Sequence, residues 1–134
     1  MTSFNPGEVF AYNYLWDRER HSGEESGRKV RQSCVMFRSA RQPSRKIFLF
    51  PITSRHPGAE RIAIDLPAEE RQRARLDQPC WIILDEYNIT LETRVYDFAS
   101  LKPIGRFSND FTVQLAGEIR NAILKGAVSA VRRN

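Results

Sequence analysis

Apolar and polar positions divide the chain into short runs, and the densest lies at residues 46–55. Ile47 to Pro51 are continuously apolar, and Ile52 extends them before Thr53, Ser54 and Arg55. A short apolar run bounded by turn-forming residues fits a strand buried on both faces. Pro51 argues against a helix because it lacks an amide donor, and it predicts a sheet edge or a bend. Thr53 and Ser54 then emerge at the end of a rigid strand beside Arg55 and His56. That is a suitable place to handle an anionic group.

The flanking pattern predicts further strands. Pro6-Gly7 signals a turn ahead of an aromatic-rich strand at 8–15, and 30–38 returns as a strand after a polar stretch. That stretch, about 16–29, has no periodic apolar face and is expected to be a long mobile loop, functional or a solvated hairpin tip. The polar connection 39–45, with Pro43, predicts a hairpin between the second and third strands. Residues 60–66 alternate, so Ile62, Ile64 and Leu66 share one side of a half-solvated strand. Pro67 followed by Glu69 and Glu70 suits the start of a short helix through Leu76, acidic where the helix dipole favours it. Residues 79–85 and 89–96 read as two more strands with Asn88 at the turn between them. Ser108 is an N-cap for a helix to about Lys125, with Phe111, Leu115, Ile119, Ala122 and Ile123 at helical spacing. Gly126 ends it, and residues 131–134 are expected to fray. The fold class is mainly β with α: a small twisted, barrel-like sheet of five to seven strands, a short helix and a C-terminal helix, in one domain spanning 1–134.

Composition narrows the chemistry. The 134 residues are 41% hydrophobic and 28% charged, ordinary for a soluble domain. No apolar run approaches the roughly 20 residues of a membrane span, and the N-terminus lacks a secretory pattern, so a cytoplasmic protein without a membrane partner is expected. Cys34 and Cys80 stand in apolar segments without partner cysteines, which predicts buried thiols and neither a zinc site nor a disulfide framework. The net charge of +5 favours an acidic partner, nucleic acid or protein.

The order of four motifs resembles the PemK/MazF/Kid toxins of bacterial type II toxin–antitoxin systems. They are Pro6-Gly7-Glu8-Val9, the strand Val30-Arg31 through Phe37, Phe50-Pro51-Ile52-Thr53-Ser54, and Pro79-Cys80-Trp81 through Glu86, closed by a C-terminal helix. The resemblance covers roughly residues 6–125. It implies an SH3-like barrel, a homodimer, an acidic antitoxin partner, and cleavage of single-stranded RNA without metal or cofactor to 2′,3′-cyclic phosphate and 5′-hydroxyl ends. Arg31 falls on the family's active-site arginine, Thr53 on its threonine, Ser54 on the serine that follows in some members, and Glu8 on the acidic residue of the first strand.

These residue types suit the reaction. Cleavage through the RNA's own 2′-hydroxyl needs a proton acceptor, a donor for the leaving 5′-oxygen and positive charge at the phosphorane. Arg31 offers a planar fork of donors whose charge does not titrate away, and Thr53 and Ser54 offer hydroxyl donors. Glu8 is a candidate base; His21 or His56 can act as base or acid. Candidate RNA contacts are His21, Arg55, His56, Tyr87 and Asn88, with Tyr12, Tyr14 and Trp16 as further stacking surfaces, whereas Trp81 and Phe50 are expected in the core. The chain departs from the family at Gln32, where a proline is common. It departs again at residues 85–91, Asp-Glu-Tyr-Asn-Ile-Thr-Leu, where relatives carry Gln and then Arg-Thr-Ile-Asp. Either Arg55, Arg61 or Arg106 substitutes for the missing arginine, or the substrate differs, or cleavage is lost. Two other readings share the fold: a non-catalytic module binding nucleic acid or protein, and a CcdB-like, gyrase-directed toxin acting through the C-terminal helix.

Overall fold

The computed structural model describes residues 4–18, 30–39 and 45–133. Among them the elements run β1 (Glu8–Tyr12), β2 (Arg31–Arg38), β3 (Lys46–Thr53), β4 (Ala63–Asp65), α1 (Ala68–Arg73), β5 (Trp81–Ile83), β6 (Glu86–Leu91), β7 (Gly105–Arg106), α2 (Asn109–Leu124) and β8 (Ser129–Arg132). The eight strands form one curled, half-barrel sheet in the order β4-β5-β3-β2-β1-β7, with β6 on β3 and β8 on β6. Every pair is antiparallel except β6–β8. The fold is therefore mainly β with a C-terminal helix, as the pattern predicts.

Strands β1 to β3 are rich in apolar residues because the sheet is covered on both faces. Val9, Cys34, Met36, Phe50 and Ile52 pack with Phe111, Leu115 and Ile119 of α2. Their neighbours Phe10, Tyr12, Val35, Ile47 and Leu49 join Phe4, Tyr14, Trp16 and Phe98 in a second, aromatic cluster. Alternate residues thus serve alternate faces. Helix α2 starts at Ser108, whose hydroxyl accepts the Phe111 N–H at 3.2 Å. It ends in a paired-bond cap: Gly126 (φ 69°) donates to the Ile123 carbonyl and Ala127 to that of Ala122. Ile123 itself is exposed, off the buried stripe.

Several expectations change. Pro51 does not mark an edge, because β3 is flanked throughout by β2. Instead β3 exchanges partners, from β6 at residues 46–49 to β5 at 52–53, and Pro51 lies in the gap between them. A residue without an N–H sits there at little cost, and the sheet turns its corner. Asn88 is not a turn but the middle of β6, completely buried. Residues 131–133 do not fray: β8 lies parallel on β6, and Arg133 beyond it is buried. Arg133 Nη1 donates to the Asn13 carbonyl at 2.7 Å, to Asn88 Oδ1 at 3.1 Å and to the Tyr12 hydroxyl at 3.3 Å. Its Nη2 lies 3.1 Å from Asp97 Oδ1, outside hydrogen-bonding alignment, so that contact is an ion pair. The expected loop at about 16–29 falls outside the described residues except at its start, where Trp16 is buried.

Candidate functional site

Antiparallel pairing of β2 and β3 sets Ser33 opposite Pro51 and Cys34 opposite Phe50. Beyond the last of these pairs, Arg31 at the start of β2 and Thr53 at the end of β3 lie at the same end of the two strands. Residues distant in sequence therefore converge at one end of the sheet. Arg31, Thr53, Ser54, Arg55 and His56 all line a single cleft of about 360 Å³, together with Trp16, Arg18 and Arg61. Five of the nine residues singled out in the sequence thus share one surface.

Local bonds hold these groups. Thr53, at the buried end of β3, accepts the Arg55 N–H on its hydroxyl at 3.1 Å, which turns the chain so that Ser54, Arg55 and His56 stand exposed at the rim. The His56 ring meets Trp81 edge-on at 5.2 Å, and its Nδ1 accepts the Gly58 N–H at 3.1 Å. With Nδ1 engaged as an acceptor, the neutral ring carries its proton on Nε2, a donor. Trp81 is half-buried, not a core residue, because its strand lies between β3 and the short edge strand β4. The guanidinium groups of Arg31 and Arg18 sit 5.6 and 5.2 Å from the Trp16 ring centre. Such cation–π contacts add attraction and restrict where the cations point. Trp16, Tyr12 and Tyr14 are buried and so offer no stacking surface.

Arg61 answers the charge at Asp85-Glu86. Its Nε and Nη2 both reach Asp85, at 3.0 and 2.7 Å, and Nη2 also reaches Glu86 Oε1 at 2.9 Å. The Asp85 hydrogen bonds raise the Arg61 pKa, so it stays charged throughout. Glu86 Oε2 is spent on the Tyr14 hydroxyl at 3.0 Å and the Asp17 N–H at 3.1 Å. Both carboxylates are thus engaged beside the cleft, not pointed at a bound anion. Arg61 balances one of their two negative charges while contributing to the wall. Among the described residues, no Asp or Glu lines the cleft.

Three predicted site residues stand elsewhere. Glu8 is at the opposite end of β1 from Tyr12, which pairs with Arg31. Four strand residues place it roughly 13 Å away. Its carboxylate instead accepts the Asn5 N–H at 2.7 Å. Tyr87 packs on Phe48 and Phe50 at 5.4 and 5.1 Å, against the core. Asn88 is structural: its side-chain amide accepts the Leu15 N–H at 2.9 Å and donates to the Leu15 carbonyl at 2.7 Å, acting as a strand partner. His21 lies outside the described residues. Burial raises the pKa of Cys34 and Cys80, and the Cys34 thiol is fully enclosed. Among the described residues, no group of three His, Cys, Asp or Glu side chains is placed to hold a metal ion. No helix among them is long and apolar enough to cross a membrane. Nothing in the sequence marks Arg18 as a cleft residue, whereas Arg61, one of the three arginines expected to substitute, does line the cleft. Compared with known proteins, the chain matches no family model and no curated sequence.

Proposed function

We propose that this protein is a PemK/MazF-type toxin, an endoribonuclease that cuts single-stranded RNA at the Arg31–Thr53 cleft. The observation that carries this reading is the convergence of Arg31, Thr53, Ser54, Arg55 and His56 on one cationic cleft free of carboxylates among its described lining. In the reaction the 2′-hydroxyl gives its proton to water and its oxygen attacks phosphorus. The P–O5′ bond breaks, the 5′-oxygen takes a proton from water, and a cyclic phosphate remains. Nothing is oxidised and no co-reactant is consumed. Arg31 stabilises the dianionic phosphorane, the Thr53 and Ser54 hydroxyls bind its non-bridging oxygens, and His56 Nε2–H donates towards the leaving oxygen. Fixed donors of this kind are each worth about 10²–10³ in rate.

Of the arginines that could stand in for the one missing at residues 85–91, Arg55 and Arg61 both line the cleft, and Arg61 is held there by Asp85 and Glu86. An acidic antitoxin segment and a second copy of the chain are the partners this reading carries with it. Arg31→Ala and Thr53→Ala are each expected to slow cleavage at least tenfold with an unchanged circular dichroism spectrum. Full activity in both folded variants would remove this cleft from consideration. RNA binding without cleavage would favour the non-catalytic module.

A further inference from the structure

A second cavity of about 340 Å³ adjoins the cationic cleft and shares two wall residues with it, Arg31 and Ser54. Its character differs. Val30, Ile52, Leu76 and Ile104 supply apolar walls, and Gln32, Asp77 and Gln78 supply the polar groups. The volume is at the small end of ligand sites, about 300–1,000 Å³, suited to one nucleotide unit. A cavity with apolar side chains on its walls and amide and carboxylate groups beside them offers the chemistry that reads a single unstacked base by its edge.

The chain reaches this cavity through a strained turn. Helix α1 ends in the same paired-bond cap as α2: Arg75 donates to the Gln72 carbonyl at 3.2 Å and Leu76 to that of Arg71 at 2.8 Å. Where α2 uses Gly126 in the left-handed conformation, α1 uses Arg75, at φ 58°. A side chain there costs about 1–2 kcal/mol that glycine would avoid. The turn buries Leu76 and delivers exposed Asp77 and Gln78 to the cavity rim. Asp77 is also the one carboxylate in the described lining of either cavity. A negative charge beside a phosphate site weakens binding of the backbone, so its place there fits selectivity and not affinity.

We infer that this cavity is a nucleobase subsite, and that Asp77, with Gln32 and Gln78, selects guanine next to the phosphate held by Arg31. Guanine is favoured because N1–H and N2–H₂ present adjacent donors to a carboxylate, whereas uracil presents carbonyl acceptors on both sides of its single N–H. This inference rests on the nucleic-acid reading of the cleft but not on cleavage, so it is tested with RNA that cannot be cut. Fluorescence anisotropy of the whole protein with 2′-O-methyl oligonucleotides, uridine throughout except for one central G, A or C, measures the preference directly. The expected result is at least tenfold tighter binding of the G oligonucleotide. In Asp77→Asn this preference is lost while affinity for the all-uridine strand stays equal or rises. Gln78→Ala is expected to narrow the preference without abolishing binding. Equal affinity for all four strands, still dependent on Arg31, would overturn the base subsite and leave the phosphate site standing. No binding of any strand would overturn both.

Discussion

Arg133→Ala is expected to cost about 3 kcal/mol of stability. The side chain is fully enclosed and joins three segments: Tyr12 and Asn13 at the end of β1, Asn88 in β6 and Asp97. Truncating one partner of a buried ion pair usually costs about 3–5 kcal/mol, because the other charge is left without compensation. Here Arg94 Nε still holds Asp97 at 2.9 Å, which places the loss at the lower end. Three hydrogen bonds go as well, and the Asn13 carbonyl loses its 2.7 Å donor. About 3 kcal/mol is roughly a fifth to three fifths of a domain's usual stability and corresponds to about 10 °C in Tm at this chain length. Urea unfolding followed by tryptophan fluorescence measures it, with Arg132→Ala as control. Arg132 is exposed one position away and should change stability by less than about 0.5 kcal/mol. If the two variants unfold at the same urea concentration, β8 and the Arg133 network do not form in solution and the tail frays after all.

Two further substitutions or conditions test the packing. A methyl group on Gly105 would come within 2.6–2.8 Å of the Ala74 backbone at the end of α1, which no rotamer change relieves. Gly105→Ala is therefore expected to destabilise by about 1–3 kcal/mol, read as a lower urea midpoint with unchanged slope. An unchanged midpoint would mean that β7 and α1 are not in contact. Burial pushes the Tyr12 hydroxyl up to about 12, from its ordinary value near 10, against the lowering effect of Arg133. Between pH 10 and 12 the unfolded chain ionises this group while the folded chain keeps it protonated. Its contribution is thus full below pH 10 and falls by about 3 kcal/mol as the pH rises through that window. Burial raises Tyr14 in the same direction. Urea midpoints measured from pH 9 to 11.5 should fall, less steeply in Tyr12→Phe; equal slopes would contradict a buried Tyr12.

Strands β1 to β3 and the C-terminal helix were legible because their signals are local. Apolar density marked β1 to β3, Ser108 marked the start of α2, and Gly126 marked its end. The cleft was partly legible for a related reason: Arg31 and Thr53–His56 lie where apolar strands give way to polar residues, so they were bound to surface at strand ends. Glu8 was misjudged because which end of β1 faces the site depends on pairing with β2, and no local pattern encodes that register. Asn88 and Arg133 were misjudged together. A polar residue after Asp85-Glu86-Tyr87 resembles a turn, and Arg-Arg at a terminus resembles a frayed end. Each is in fact buried because it satisfies the other and a backbone segment more than 70 residues away. Arg61 was legible as a candidate cation but its pairing was not, since its partners lie 24 and 25 residues further on.

The central claim is that the Arg31–Thr53 cleft cuts RNA without a metal ion. The most direct test incubates the purified protein with a long single-stranded RNA in EDTA and maps the ends, beside Arg31→Ala. The account predicts discrete cuts, 2′,3′-cyclic phosphate and 5′-hydroxyl ends, and their loss in the variant. Intact RNA from well-folded protein, or cuts that persist in Arg31→Ala, would contradict it.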